Sequence, residues 1–427
     1  MLRLLLLLPT STYRSADFLE AARRIGADVA VASEEPNALE ALNPENLLTL
    51  DFRDPQGAAR RVAESSRERP FDAVIGVDDE TAIAAAAIGA ALGLRHNAVP
   101  AASAARNKGE MRALLRSAGV AVPDHRVFSR SQHPAAAAAA AAAATAVSYP
   151  CVLKPTFLAA SRGVIRADDP EEFAAAWRRI ERILDDPDVA RRGGLAAGEI
   201  LVEAFVAGRE VALEGLLTDG PLRVLALFDK PDPLDGPFFE ETIYVTPSRL
   251  DAEEQEAIAA LVQRAARALG LTNGPVHAEL RLSARGPVIL EVAARSIGGL
   301  CSRTLRFGTG MSLEEVILRH ALGLPVEALR ESSAAGVMMI PIRRSGRLVR
   351  VRGLEEAREV PGIVEATITL RPGQDLVPLP EGWRYLGFLF SRADTPEAAE
   401  RALREAHAKL EIEVEGFPDA AGDSGIA

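Results

Sequence analysis

The sequence predicts a protein of mixed class, α/β and α+β, and three observations carry that prediction. Residues 1–103 alternate short apolar runs with amphipathic stretches, the pattern of a parallel sheet covered by helices. "GPVHAELRLSARGPVILEVAAR", Gly274 to Arg295, holds two alternating runs around "SARG", a hairpin signal. From about Ala335 the pattern turns strand-rich, with "GVMMIPI", "RLVRV", "GIVEATITL" and "YLGFLF". The expected divisions are an N-terminal parallel α/β domain over 1–103, a central domain over 104–330 and a C-terminal α+β domain over 331–427.

In chain order, Leu4–Leu8 is apolar and stops at Pro9, short for the apolar core of a signal peptide. Followed by a helix over Ala16–Ile25, a stop at Gly26 and a strand over Val29–Ala32, it reads as a buried strand opening a βαβ unit. "FDAVIGVDDETAIAAAAIGAALGL" is a strand and then a helix, and its turn, Gly76 to Thr81, lies where such sheets gather ligands. Asp79 and its neighbours there hold a substrate amine or cap the helix; capping is the plainer reading. "ARNKGEMRALLRSAGVAVPDHRV" reads as a helix, a stop at Gly119 and a strand entry after Pro123. The Ala135–Ala144 run, flanked by Pro134 and Pro150, reads as a surface helix without chemistry. "LDAEEQEAIAALVQRAARALG" has an N-cap at Asp251, Glu254 in the capping-box position, an apolar stripe from Ile258 to Leu269 and a stop at Gly270. A last helix starts at Thr395 with Pro396 at its first position, and the tail "PDAAGDSGIA" reads as disordered.

A net charge of -11 argues against an extended nucleic-acid surface, though not against a small anion in a local basic pocket. No stretch is apolar for long enough to span a membrane. Two cysteines, Cys151 and Cys301, make neither a disulfide framework nor a metal cluster, so a reducing cytoplasm is the simplest setting. A homodimer is the default assembly.

The hairpin carries the chemistry. His277, Glu279 and Arg281 share one face of the first run; Glu291, Ala293 and Arg295 share one of the second. If Leu282 pairs with Val288, Glu279 falls opposite Glu291, with Cβ atoms within about 5 Å. Two ionised carboxylates that close repel by roughly 3 kcal/mol at an effective dielectric of about 20. Either a hard divalent cation removes that cost, or Arg281 and Arg295 neutralise a wet sheet face. "YPCVLKPTFLAASRGV" ends an apolar strand on Lys154 and enters a small-residue loop with Ser161 and Gly163, which suits a phosphate or is merely an exposed lysine. "EILVEAFVAGREVALEGLL" sets Glu203, Ala204, Phe205, Val206 and Glu210 around a linker between strands.

Taken in order, "RNKGEMR", "VLKP", "VEAFVAGRE", "HAEL" and "LEVAARSIGG" resemble the ATP-grasp superfamily over nearly the whole chain. The resemblance implies a central ATP-grasp fold, with Lys108 and Lys154 on ATP phosphates, Glu203 to Val206 as the adenine hinge and Glu210 on the ribose. It implies Mg²⁺ or Mn²⁺ on Glu279 and Glu291, and Arg295 against the transferring phosphoryl group. Many relatives carry Asn two residues after the second metal acid; this chain has Ala293, which leaves the number of metal ions open. "FDKPDPLDGPFFEETIYVTPS", "IGGLCSRTLRFG" and the strand-rich C-terminal part are similar to the L-amino-acid ligase branch. That branch joins a small carboxylate, usually an amino acid, to an amine through an acyl phosphate. Arg303 and Arg306 would hold a substrate carboxylate or serve packing and surface pairing. His277 is a substrate contact or a structural histidine, and Lys230 and Glu241 flank a loop expected to line the pocket. His277, Asp79 and Glu241 are the candidates for a general base. The rivals are a biotin-carboxylase-like ATP-grasp enzyme using bicarbonate and a catalytically silent nucleotide-binding protein.

Overall fold

The computed structural model describes residues 1–37, 39–143, 148–308, 310–326 and 329–417. The tail expected to be disordered and the end of the alanine run lie outside the described residues. The first sheet contains β1 (Arg3–Leu7), β2 (Asp28–Ser33), β3 (Leu47–Thr49) and β4 (Ala73–Gly76), all parallel, in the order β3-β2-β1-β4. Helices α1 (Ser15–Ile25), α2 (Pro55–Ser65) and α3 (Asp79–Leu92) cover it. Leu4 and Leu6 pack on the α1 side, Leu5 and Leu7 on the side of α2 and α3. A strand buried on both faces needs no polar alternation, which explains the run of leucines.

Helix α4 (Val99–Arg106) spans the expected division at 103/104. Asn107 then starts a new helix, α5 (Lys108–Ser117), because its side chain accepts from the amides of Gly109 and Glu110. A four-stranded antiparallel sheet follows, made of β5 (His125–Ser129), β6 (Cys151–Pro155), β7 (Ile165–Ala167) and β8 (Glu199–Ala204), ordered β5-β8-β6-β7. Helices α6 (Pro134–Ala143), α7 (Pro170–Asp185) and α8 (Pro187–Gly193) accompany it, and α7 buries Phe173, Trp177 and Ile180.

The largest sheet has eight antiparallel strands and runs through the expected division at 330/331. Its members are β9 (Arg209–Leu217), β10 (Leu222–Lys230), β11 (Ile243–Thr246), β12 (Gly274–Ser283) and β13 (Gly286–Ala293), with three strands from beyond that division. After β14 (Arg306–Phe307), β15 (Met311–Ser312) and α10 (Leu313–Ala321) come β16 (Ala334–Ile340) and β17 (Gly346–Arg352). Next are α11 (Leu354–Arg358), β18 (Ile363–Ile368), β19 (Asp375–Leu376) and β20 (Gly387–Ala393). The order is β13-β12-β9-β10-β11-β16-β20-β18, while β17 and β19 form a small separate sheet with β21 (Glu411–Glu415). Helix α12 (Pro396–His407) begins as the sequence predicts, with Thr395 accepting from the amide of Ala398. Among the described residues no helix is long and apolar enough to cross a membrane.

Helix α9 (Ala252–Leu269) decides which face of the large sheet is free. Asp251 caps it through the Glu254 amide, and Gly270 closes it at φ 77°, a left-handed conformation that disfavours a side chain. Its stripe of Ile258, Leu261, Val262, Ala265 and Leu269 buries Val211 and Leu213 of β9 and Val276, Ala278 and Leu280 of β12. Each large apolar side chain buried there contributes about 1.5–3 kcal/mol. Period two then turns Glu210, Glu214, His277, Glu279 and Arg281 to the opposite face.

The hairpin register differs from the premise and reaches the same outcome. Leu282 pairs with Pro287 rather than Val288, and a bulge between Glu279 and Leu280 inserts Leu290, which restores Glu279 opposite Glu291.

Candidate active site

Between the four-stranded sheet, the free face of the large sheet and the β4–α3 turn lies a cavity of about 320 Å³. Lys154 enters it from the end of β6 and Glu203 from β8, and the two are in direct contact. Glu203 also accepts from Arg112 Nε at 3.0 Å, while Arg112 Nη2 donates at 2.5 Å to the carbonyl of Leu290, the bulge residue. Burial alone would raise the Glu203 carboxyl, but Arg112 and Lys154 outweigh it and hold it at about 2. Burial lowers the Lys154 ammonium, and Glu203 offsets only part of that.

Lys108, the first residue of α5, lies 3.2 Å from Glu291 and donates to the Leu158 carbonyl at 2.8 Å. Arg295 grips Asp79 through Nε at 3.0 Å and Nη2 at 2.8 Å. Asp78, not Asp79, makes the capping box of α3 with Thr81, so the neighbouring acid is free to orient Arg295. Burial opposes the Asp79 charge, yet Arg295 and Lys108 keep its carboxyl below the usual range.

Deeper in, Lys230 is a node for three carboxylates. Its Nζ lies 2.7 Å from Glu210 and 3.4 Å from Glu279, and it touches Glu241. Oxygens of Glu210, Glu241 and Glu279 all lie within 4.8 Å of one another. Burial and the Glu279 charge push Glu241 up to about 7, whereas burial of Glu279 is outweighed by Lys230 and His277, which hold it well below the usual range. His277 stands 3.2 Å from Glu214 and 3.4 Å from Glu279. Burial disfavours its charge, but hydrogen bonds to both carboxylates raise it to about 9. Both ring nitrogens face carboxylates, Nδ1 toward Glu214 and Nε2 toward Glu279, an arrangement suited to donation.

The structure thus brings together Asp79, Lys108, Lys154, Ser161, Glu203, Ala204, Phe205, Val206, Glu210, Glu241, His277, Glu279, Glu291 and Arg295 around one cavity, while Lys230 stands behind its wall, paired with Glu210, Glu241 and Glu279. Several expected details change. The amides of Ala204 and Phe205 already donate to Asp124 and Pro150, at 2.8 and 3.1 Å, which narrows what the linker offers an adenine. Glu210 is tied to Lys230 and to Arg281, whose Nε lies 3.1 Å away. Gly163, at φ 74°, does not line the cavity; its amide donates to the Pro380 carbonyl at 2.9 Å. The direct ion pairs of Arg281 and Arg295 are with Glu210 and Asp79 rather than with the hairpin acids, although Glu291 is close enough to favour the Arg295 charge.

Arg303 and Arg306 are also absent from the cavity. The short 3-10 turn Cys301–Thr304 directs Arg303 onto Asp17 and Glu365, and Arg306 donates to the carbonyls of Arg303 and Leu305. Sequence reasoning missed Arg112, Glu214 and Tyr244. For Glu214 a signal existed: it lies four residues from Glu210 on the same alternating strand.

Three family matches tile the chain: an ATP-grasp N-terminal domain over residues 19–96, an ATP-grasp domain over 147–304 and an L-amino acid ligase C-terminal domain 2 over 338–415. The chain is 30% identical over 241 residues to the alanine–anticapsin ligase of Bacillus subtilis (strain 168), covering 53% of this chain and 49% of that protein. It is 29% identical over 357 residues to carnosine synthase 1 of Gallus gallus, covering 79% of this chain and 38% of that one. The chain spans about half the length of the curated relatives it matches. A crystal structure of an L-amino acid ligase from Bacillus licheniformis superposes with a TM-score of 0.77 at 27% identity, over 97% of this chain and 99% of that one. With matching domains in the same order and a superposition along nearly its full length, the chain belongs to the ATP-grasp superfamily, in its L-amino-acid ligase branch.

Proposed function

We propose that the protein is an ATP-dependent carboxylate–amine ligase that forms an amide or dipeptide bond from an amino acid and an amine. One observation carries the reading: Lys108, Lys154 and Arg295 converge with Glu279 and Glu291 on a single cavity. Glu279 and Glu291 each keep 22% side-chain exposure, enough for their oxygens to be reached from the cavity. Such hard donors fit Mg²⁺ or Mn²⁺, with Lys108 and Lys230 as the present counter-charges. The ion, when bound, would supply charge neutralisation for a triphosphate.

In the proposed reaction a substrate carboxylate oxygen attacks the γ-phosphorus, forming the acyl phosphate as the β–γ bridging bond breaks and ADP leaves. An unprotonated amine then attacks the acyl carbon, phosphate departs with the bonding pair, and the new amide nitrogen loses its proton. Lys108 and Lys154 would bind and orient the terminal phosphates. Asp79 would hold Arg295 in place to steady the transferring group. Tyr13 of the β1–α1 loop, Tyr244 of β11 and Tyr385, two residues before β20, line the same cavity, and their rings would limit water beside the acids. Substrate labelled with ¹⁸O in its carboxylate tests the route. One labelled oxygen is expected in inorganic phosphate, and label in AMP would overturn the acyl-phosphate reading in favour of adenylation.

A further inference from the structure

A second cavity, of about 460 Å³, is lined by Arg303, Arg306, Glu331, Ser333, Glu365 and Arg392 among others, and none of these borders the first. Its charges are unevenly paired. Arg303 is satisfied by Asp17, 3.1 Å away, and by Glu365 at 2.5 Å. Arg392 reaches Glu331 and the Ser333 hydroxyl only at 3.4 Å each. Arg306 spends Nη1 on two backbone carbonyls, at 3.2 and 2.7 Å. Arg330, bridged to Phe307 beside it, donates to the Ser333 carbonyl at 2.9 Å. Among the described residues no carboxylate pairs with Arg306 or Arg330. Burial, followed by the repulsion of Arg392, lowers both guanidiniums from their ordinary range.

Acids farther off (Glu314, Glu331 and Asp17 for Arg306, Glu331 for Arg330) offset only part of this, and a partly buried guanidinium without a direct carboxylate partner leaves room for an anionic guest. We propose that Arg306 and Arg392, on the walls of this second cavity, form a binding site for a small oxyanion, a carboxylate or a phosphate, separate from the ATP-grasp cavity. The planar fork of each guanidinium matches two oxygens of such a group, and arginine stays charged at any working pH. Glu331 and Glu365 on the same walls restrict the guest's charge, since a large polyanion would meet them. The site rests on its own residues and does not depend on the ligase reading.

Hydrogen exchange on the full chain tests it, with inorganic phosphate and citrate added separately at constant ionic strength. Protection is expected over residues 303–308 and 330–333 with at least one of the two anions; phosphate alone identifies the phosphate class and citrate alone the carboxylate class. Arg306→Gln and Arg392→Gln should each weaken that binding at least tenfold by calorimetry while leaving the melting temperature close to that of the parent. Arg392→Gln matters because Arg306 also braces its own backbone, so a folding defect in one variant leaves the other informative. The proposal is overturned if neither anion protects those segments, or if calorimetric binding persists undiminished in both variants.

Discussion

Strands β1 and β9 are buried almost end to end, yet they are built from opposite chemistries. Every residue of β1 is buried, and after Arg3 it is all leucine, four side chains dividing between two apolar layers. Strand β9 is buried from Glu210 to Leu217, but it carries Glu210 and Glu214 on one face. Its apolar face is held by α9, and its charged face is held by Lys230, Arg281 and His277. Burial of a leucine needs only a neighbour of the right shape, whereas burial of a carboxylate needs a positioned partner. The contrast separates a strand whose substitution harms the fold from one whose neighbourhood serves chemistry.

Four substitutions or titrations break or sharpen that contrast. The largest effect is expected at the charged face: Glu291→Gln should lower turnover about a thousandfold, roughly 4 kcal/mol in the barrier. Its denaturation midpoint should stay close to the parent's, and steady-state ADP release beside a urea titration checks both halves. Leu5→Ala should do the reverse, costing about 2–5 kcal/mol of stability through a cavity in β1. Turnover per folded molecule should be unchanged there; a matching fall in activity would mean that the leucine layer and the site are coupled.

The third effect is a pH dependence. Glu203 is held at about 2 against an unfolded value near 4.5, so its stabilisation is complete above the higher value and disappears as pH falls through the lower. The stability gap between the parent and Glu203→Gln should therefore shrink across that window, read from denaturant melts at successive pH values. The smallest expected effect lies outside the cavity, at His320. Burial holds its imidazole at about 4 rather than 6.5, so acidification through that interval makes the unfolded chain take up more protons and costs stability. His320→Gln should flatten this slope without touching turnover.

Much of this was legible because it was local. The α9 helix is written in its cap, stripe and stop, and Lys154 stands at the end of an apolar run. The partners were not legible. Glu203 meets Arg112 and Lys154 only because β8 lies beside β6 while α5 packs near it, and no spacing in the chain announces that. Arg303 and Arg306 misled for a related reason: a short 3-10 turn carries the chain away from the cavity just after Cys301, which still lines it. The division expected at 330/331 was blurred by β16, which adds to β11 and continues one sheet across it.

The single extra residue in β13 gives the hairpin a phase. On the turn side of Leu290 the position on the charged face of the sheet is Val288, paired with Arg281; beyond it that position is Glu291, three places along instead of two. Strand faces obey parity, so Leu290 acts as an odd step that moves the far half of the strand onto the other beat. Removing it while the turn stays fixed would keep Leu280 against Ile289 and Glu291 opposite Glu279, but would erase the bulge. It would also withdraw the carbonyl that Arg112 holds. In this hairpin, then, the extra residue serves the guanidinium beside it rather than the pairing of the acids: a deletion that spares every charged residue would still unseat Arg112.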